Sequence, residues 1–133
     1  MSKKGPSYRD IPGTFVFDAQ HSRAGYHLNM FMMSLSKESG REKFKTDERA
    51  YLDNFKMTEA QKQAVMNRDW NRMLELGGNV YYTLKLAACD EMPYELNYAT
   101  MAGVSREDFR AMMLSGGRDP QGNLYKSDWE GGD

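Results

Sequence analysis

Only one cysteine, Cys89, and two histidines, His21 and His27, occur in 133 residues. A single thiol excludes an internal disulfide framework and suits a reducing compartment. With two imidazoles and one thiol, a transition-metal site built wholly within this chain would have to lean on carboxylates. An excess of one charge sign is also missing, since 18 Lys and Arg against 19 Asp and Glu leave a net charge of −1. Without a basic surplus to neutralise phosphates, neither nucleic acid nor a membrane surface is an expected partner. No apolar run approaches the ~20 residues of a membrane span, and the opening Met-Ser-Lys-Lys-Gly-Pro leads into no signal-peptide core. A soluble, cytoplasmic protein is the expectation. The Gly-x-Ser-x-Gly elbow is absent, and Gly77-Gly78 and Gly116-Gly117 lack the spacing and lysine of a phosphate loop. They fit helix stops better.

What is present is a modest apolar content and much methionine. The hydrophobic share of 40% lies below the usual ~45–50%, a figure that also counts Gly, so the core is small. The length suits one domain spanning 1–133. Eleven methionines exceed what a core of this size needs as filler, and methionine is over-used at adaptable binding surfaces.

Periodicity predicts an all-α, compact bundle of about six or seven short helices. An N-terminal arm (1–10) precedes a helical body (11–117), and an extended tail (118–133) follows it. Pro12-Gly13 marks a turn, and Asp18 caps a helix running to about Leu35, with Leu28, Phe31, Met32 and Leu35 on one buried face. Gly40 is placed as a terminator. Phe44, Tyr51, Leu52 and Phe55 then share a rough face, with Thr46 as an alternative restart. Thr58 and Gln61 have capping-box spacing. Asp69, Asn79 and Ser105 cap three more helices, the second with Val80, Leu84 and Ala87 on one side. Pro93 interrupts the pattern, and Tyr94–Gly103 fits either a turn or a short helix. Asp69–Gly78 and Asp108–Gly117 share the pattern Asp-aromatic-x-x-Met-apolar-x-x-Gly-Gly, a capped amphipathic segment with a glycine stop used twice.

Few residues could carry chemistry. His21 and His27, six apart, do not share the i, i+4 face of a helical zinc site, and packing, capping or exposure accounts for them. Cys89 stands beside Asp90 and Glu91, acids that raise a thiol pKa, and is expected to be structural. The acids Glu38, Glu42, Asp47 and Glu48 form a solvated face. Tyr81, Tyr82, Met92, Tyr94, Tyr98 and Met101 crowd around Pro93. They fit either core packing or an interface or aromatic pocket, because tyrosine pairs apolar area with a polar tip.

Several segments together resemble the small (alpha) subunit of protocatechuate 4,5-dioxygenases, class III extradiol ring-cleaving enzymes. They are Ile11-Pro12-Gly13-Thr14 with Val16-Phe17, Gly25-Tyr26 with Leu28-Asn29, and Asp47-Glu48 with Ala50-Tyr51-Leu52-Asp53. Gly77-Gly78-Asn79-Val80-Tyr81, Met101-Ala102-Gly103, and Gly116-Gly117-Arg118 with Pro120 complete the set. Each is weak alone; their order and spacing over about residues 11–122 carry the resemblance. It implies a helical subunit that binds no metal or cofactor itself and is inactive alone. Non-haem Fe(II) is then held by a larger beta subunit, through two His and one Glu of that family. The alpha subunit covers a shared site where O₂ opens a carboxylated catechol. The resemblance also implies a substrate-facing aromatic at Tyr94, with Tyr98 and Met101 as further lid residues. Ala88–Thr100, with Cys89, Pro93 and Tyr98, departs most from the family pattern and leaves open which catechol is taken. A helical interaction or regulatory module that never touches substrate is the alternative. Phe31, Met32, Met33, Met73, Met112 and Met113 are candidates to divide between core and interface.

Overall fold

The computed structural model describes residues 15–117. The arm at 1–10, the Ile11–Thr14 motif and the tail at 118–133 lie outside the described residues. Nine helices and no strand occur among the described residues: α1 (Ala19–Ala24), α2 (Tyr26–Ser34), α3 (Glu38–Thr46), α4 (Glu48–Leu52), α5 (Glu59–Met66), α6 (Trp70–Glu75), α7 (Val80–Cys89), α8 (Tyr94–Ala102) and α9 (Arg106–Leu114). The all-α bundle is as expected, but nine helices replace six or seven.

The helix starts follow local chemistry. Asp18, Asp69, Asn79 and Ser105 each accept a hydrogen bond from an otherwise unpaired amide in the first turn. Thr58 accepts from Gln61 N at 3.1 Å while the Gln61 side chain accepts from Thr58 N at 3.0 Å, closing the capping box.

The additional helices come from breaks and one undecided segment. The single helix expected from Asp18 to Leu35 is divided at Gly25. The restart after α3 is capped by Asp47 rather than Thr46, whose hydroxyl donates back to Glu42 O at 2.8 Å. Gly40 does not terminate a helix. It lies in the first turn of α3, where a Cβ would come within 2.3 Å of Ser34 O. Tyr94–Ala102 is a full helix, with Pro93 at its N-cap position, where no amide is needed.

The two Asp-aromatic segments share their ends and not their starts. Asp69 caps α6, whereas Asp108 lies inside the first turn of α9, behind Ser105. Both helices close with the same pair of bonds, Gly77 N to Leu74 O with Gly78 N to Met73 O, and Gly116 N to Met113 O with Gly117 N to Met112 O. Gly77 and Gly116 take φ of +105° and +108°, a conformation that glycine adopts without a Cβ penalty.

Leu28, Phe31, Met32 and Leu35 are buried as the spacing predicts, and α2 packs them against α7. Of the side expected on α7, Ala87 is buried and Leu84 half-buried, but Val80 is about half exposed, and Thr83, Leu86 and Cys89 complete the buried face. Phe31 is the hub of an aromatic cluster, with ring centroids 5.1 Å from Phe44, 5.8 Å from Phe55 and 6.1 Å from Tyr51. Tyr51, Leu52 and Phe55 therefore converge although no continuous helix carries Phe44 with them. Cys89 is buried, and that burial foremost pushes its thiol up, with Asp90 adding less.

Helices α8 and α9 form a hairpin turned by Gly103 at φ +74°. Arg106 Nε and Arg110 Nη2 both donate to Glu95 Oε1 at 2.8 Å, across the two helices. These bonds, the Arg106 one first, hold the Glu95 carboxyl below its ordinary value of 4.5. A carboxyl depressed on folding stabilises above its unfolded pKa and loses that contribution as pH falls through the folded value. The α8–α9 contact should therefore loosen as pH drops below about 4.5, the ordinary value. Amide protection factors of α9 should fall between about pH 5 and pH 3; constant protection there would contradict the pairing.

Candidate functional site

A groove of about 640 Å³ opens among four parts of the chain. Phe15, Phe17 and His21 come from the segment entering α1 and from α1 itself. Asn71 and Leu74 come from α6, Gly78, Asn79 and Val80 from the α6–α7 junction, and Tyr98, Met101 and Ala102 from α8. The volume is that of an ordinary small-molecule site.

Its wall between 74 and 80 is held by three side chains from distant parts of the sequence. A carbonyl oxygen only accepts, so the His21 Nε2 that sits 2.6 Å from Leu74 O carries the hydrogen and donates it. Gln61 Nε2 donates to Leu76 O at 3.0 Å and to Ala24 O at 3.1 Å. Asn29 is buried with both ends of its amide used: Nδ2 donates to Gly77 O at 3.1 Å, and Oδ1 accepts from Asn79 N at 2.8 Å. Three carbonyls at the end of α6, those of Leu74, Leu76 and Gly77, thereby accept side-chain hydrogen bonds, Leu74 O in addition to its bond from Gly77 N. Gly25 and Gly77 bring the α1–α2 junction against this loop, backbone on backbone: a Cβ on Gly25 would lie 1.9 Å from Gly77 O. Asn71 Nδ2 donates to Met101 O at 2.9 Å and ties the end of α8 to the opposite wall.

Among the described residues its lining includes no Lys, Arg, Asp or Glu. An anionic group entering it would meet amides, a phenol and an imidazole, but no fixed cation. Among the described residues no three His, Cys, Asp or Glu side chains come together as a metal site would need, so the residues present do not fit an iron centre. His21 donates to a carbonyl and stands edge-on to Phe17 at 5.9 Å, while His27 stands edge-on to Tyr26 at 5.1 Å.

Of the three residues singled out in the sequence, the fold brings Tyr98 and Met101 together on one wall of the groove. Tyr94 is not part of that lining; it begins α8 and is 50% exposed. Sequence reasoning missed Phe15, Asn71 and Leu74. No local motif marks them, because they meet the groove only through folding. Of the two histidines, for which packing, capping or exposure is expected, His21 is the one that holds a carbonyl at the groove's edge. The methionines and Phe31 also divide clearly. Phe31, Met32 and Met73 are fully buried, while Met33 and Met113 face outward.

The fold and groove define a helical chain with a preformed, uncharged concave surface and no metal centre among its described residues. Its residues 28–114 match the family described as aromatic-ring-opening dioxygenase LigAB, LigA subunit, and the chain belongs to that family. It is also 27% identical over 99 residues to a gallate dioxygenase of Pseudomonas putida. That alignment covers 74% of this chain but only 29% of the relative, so the chain spans less than a third of that enzyme's length. No helix of the described residues is long and apolar enough to cross a membrane.

Proposed function

We propose that this chain is the non-catalytic lid subunit of a hetero-oligomeric extradiol dioxygenase that opens the ring of protocatechuate or a related carboxylated catechol such as gallate. In this reading a larger beta subunit holds non-haem Fe(II), and the chain contributes shape: it covers the shared site, excludes bulk water and supplies apolar contact to the ring. Excluding water strengthens the electrostatics of an enclosed site and limits side reactions. The observation that carries the reading is that the family match, 28–114, takes in Tyr98, Met101 and the whole 74–80 wall of the groove. Tyr94, outside the groove at the start of α8, reaches the shared pocket from its rim.

The purified chain should take up no oxygen with protocatechuate or gallate, and adding its large subunit should produce uptake with one of them. No gain on mixing would end the proposal. In the mixed enzyme, Tyr98→Ala should raise KM roughly tenfold, the value of losing about 1.4 kcal/mol of aromatic contact. Were uptake to appear while Tyr94→Ala, Tyr98→Ala and Met101→Ala all leave KM and substrate preference unchanged, the chain would instead be an interaction module with no contact to substrate.

A further inference from the structure

Helix α9 buries none of its nine residues, an unusual state for a helix too short to be stable alone. It packs on α8, and among the described residues nothing covers its remaining side: Met113 is 56% and Leu114 82% exposed. Six of the twelve large hydrophobic side chains exposed among the described residues lie in 94–114, far more than its share of the length. A cavity of about 400 Å³ sits at the hairpin's flank, with Ala111 and Leu114 beside it and Glu95, Arg106 and Arg110 around it. Both arginines bond Glu95, and Glu107 completes a polar rim of two acids and two bases. An apolar centre with a polar rim is the anatomy of a protein interface, and methionine is enriched in such centres.

We propose that the α8–α9 hairpin, residues 94–114, is the surface through which this chain docks on its large subunit, with Met113 and Leu114 seated in apolar pockets of that partner. The proposal rests on the lid-subunit reading above and adds the face that is used. The hairpin offers about the ~20–30 residues that one side of a stable interface employs. The family match runs to residue 114, where α9 ends. In the gallate dioxygenase, the stretch similar to this chain belongs to a polypeptide more than three times its length, so a large remainder exists for such a fold to pack on. The other outward apolar stripe, Tyr26, Met30 and Met33 on α2, adjoins a cavity of about 390 Å³ at Met33, but the charged residues lining it are Lys37 and Lys43 with no acid to pair them, and it is the natural control.

The test uses the full chain and its purified large subunit. Met113→Glu with Leu114→Glu should leave the melting curve unchanged, since both side chains are already in water. It should weaken binding to the large subunit at least tenfold by titration calorimetry, and Met30→Glu with Met33→Glu should bind as wild type. Wild-type binding by the α9 variant would overturn the proposal, whether light scattering then shows that face joining two copies of this chain, or deletion of 118–133 shows the chain's own end covering it. If the wild-type chain does not bind the large subunit, the lid-subunit reading itself fails, a separate outcome.

Discussion

Gly25→Ala is expected to destabilise the chain by about 3 kcal/mol or more, the upper range for forcing atoms into a packed site. The new Cβ would meet Gly77 O at 1.9 Å, Gly77 C at 2.3 Å and Gly77 Cα at 2.7 Å. All three are backbone atoms, so no side-chain rotamer can give way. Nor can the loop retreat, because Asn29 and Gln61 hold Gly77 O, Asn79 N and Leu76 O. Gly25 itself has φ −96°, so the effect is purely one of space. Gly103→Ala provides the comparison. Gly103 has φ +74° and nothing within 4 Å of where a Cβ would stand, so that change costs only the left-handed penalty of about 1–2 kcal/mol. At roughly 4–8 °C per kcal/mol, Gly25→Ala should lower Tm by about 12 °C or more. Thermal denaturation followed by circular dichroism decides it, and a Tm loss no greater than that of Gly103→Ala would refute the argument.

Arg68→Ala should cost about 2–3 kcal/mol, and Arg68→Gly about 1 kcal/mol less. The guanidinium joins three elements. It donates to both Glu48 oxygens at 3.0 and 2.7 Å on α4, to both Asp90 oxygens at 2.6 and 3.1 Å beyond α7, and lies 5.4 Å from the centroid of the Phe44 ring on α3. The side chains remain about a quarter to a third exposed, which places the cost below that of a fully buried pair. Arg68 also follows α5 with φ +52°, a left-handed position that an L side chain occupies at a cost. Alanine loses the ion pairs and keeps the strain; glycine loses both. The difference between the two variants in urea unfolding therefore reports the backbone strain net of glycine's larger unfolded-state entropy, and a glycine variant less stable than the alanine one would refute the strain.

Much of the fold could be read from local pattern because helix starts are local chemistry. The caps at Asp18, Thr58, Asp69, Asn79 and Ser105 depend on residues two or three positions away, and the buried 28-31-32-35 face follows from equally short spacing. The misread positions depend on neighbours that no period marks. Gly40 looked like a stop but is a point of close approach to Ser34 O. Thr46 looked like a cap, but Asp47 beside it took the role. The groove was legible only in fragments: Gly25, Asn29 and Gly77-Gly78-Asn79 stood out as motif residues, with no sign that they meet.

The sequence by itself determined the helical class, the capping points and a shortage of metal-binding side chains, because these follow from composition and short-range spacing. Tertiary structure decided which methionines are core and which are surface, that Tyr98 and Met101 share a groove without Tyr94, and that α9 stands uncovered. Those outcomes depend on which helix packs beside which. That choice is made by contacts such as Asn29 to Gly77 and Arg68 to Asp90, across 48 and 22 positions of sequence, which no helical period records.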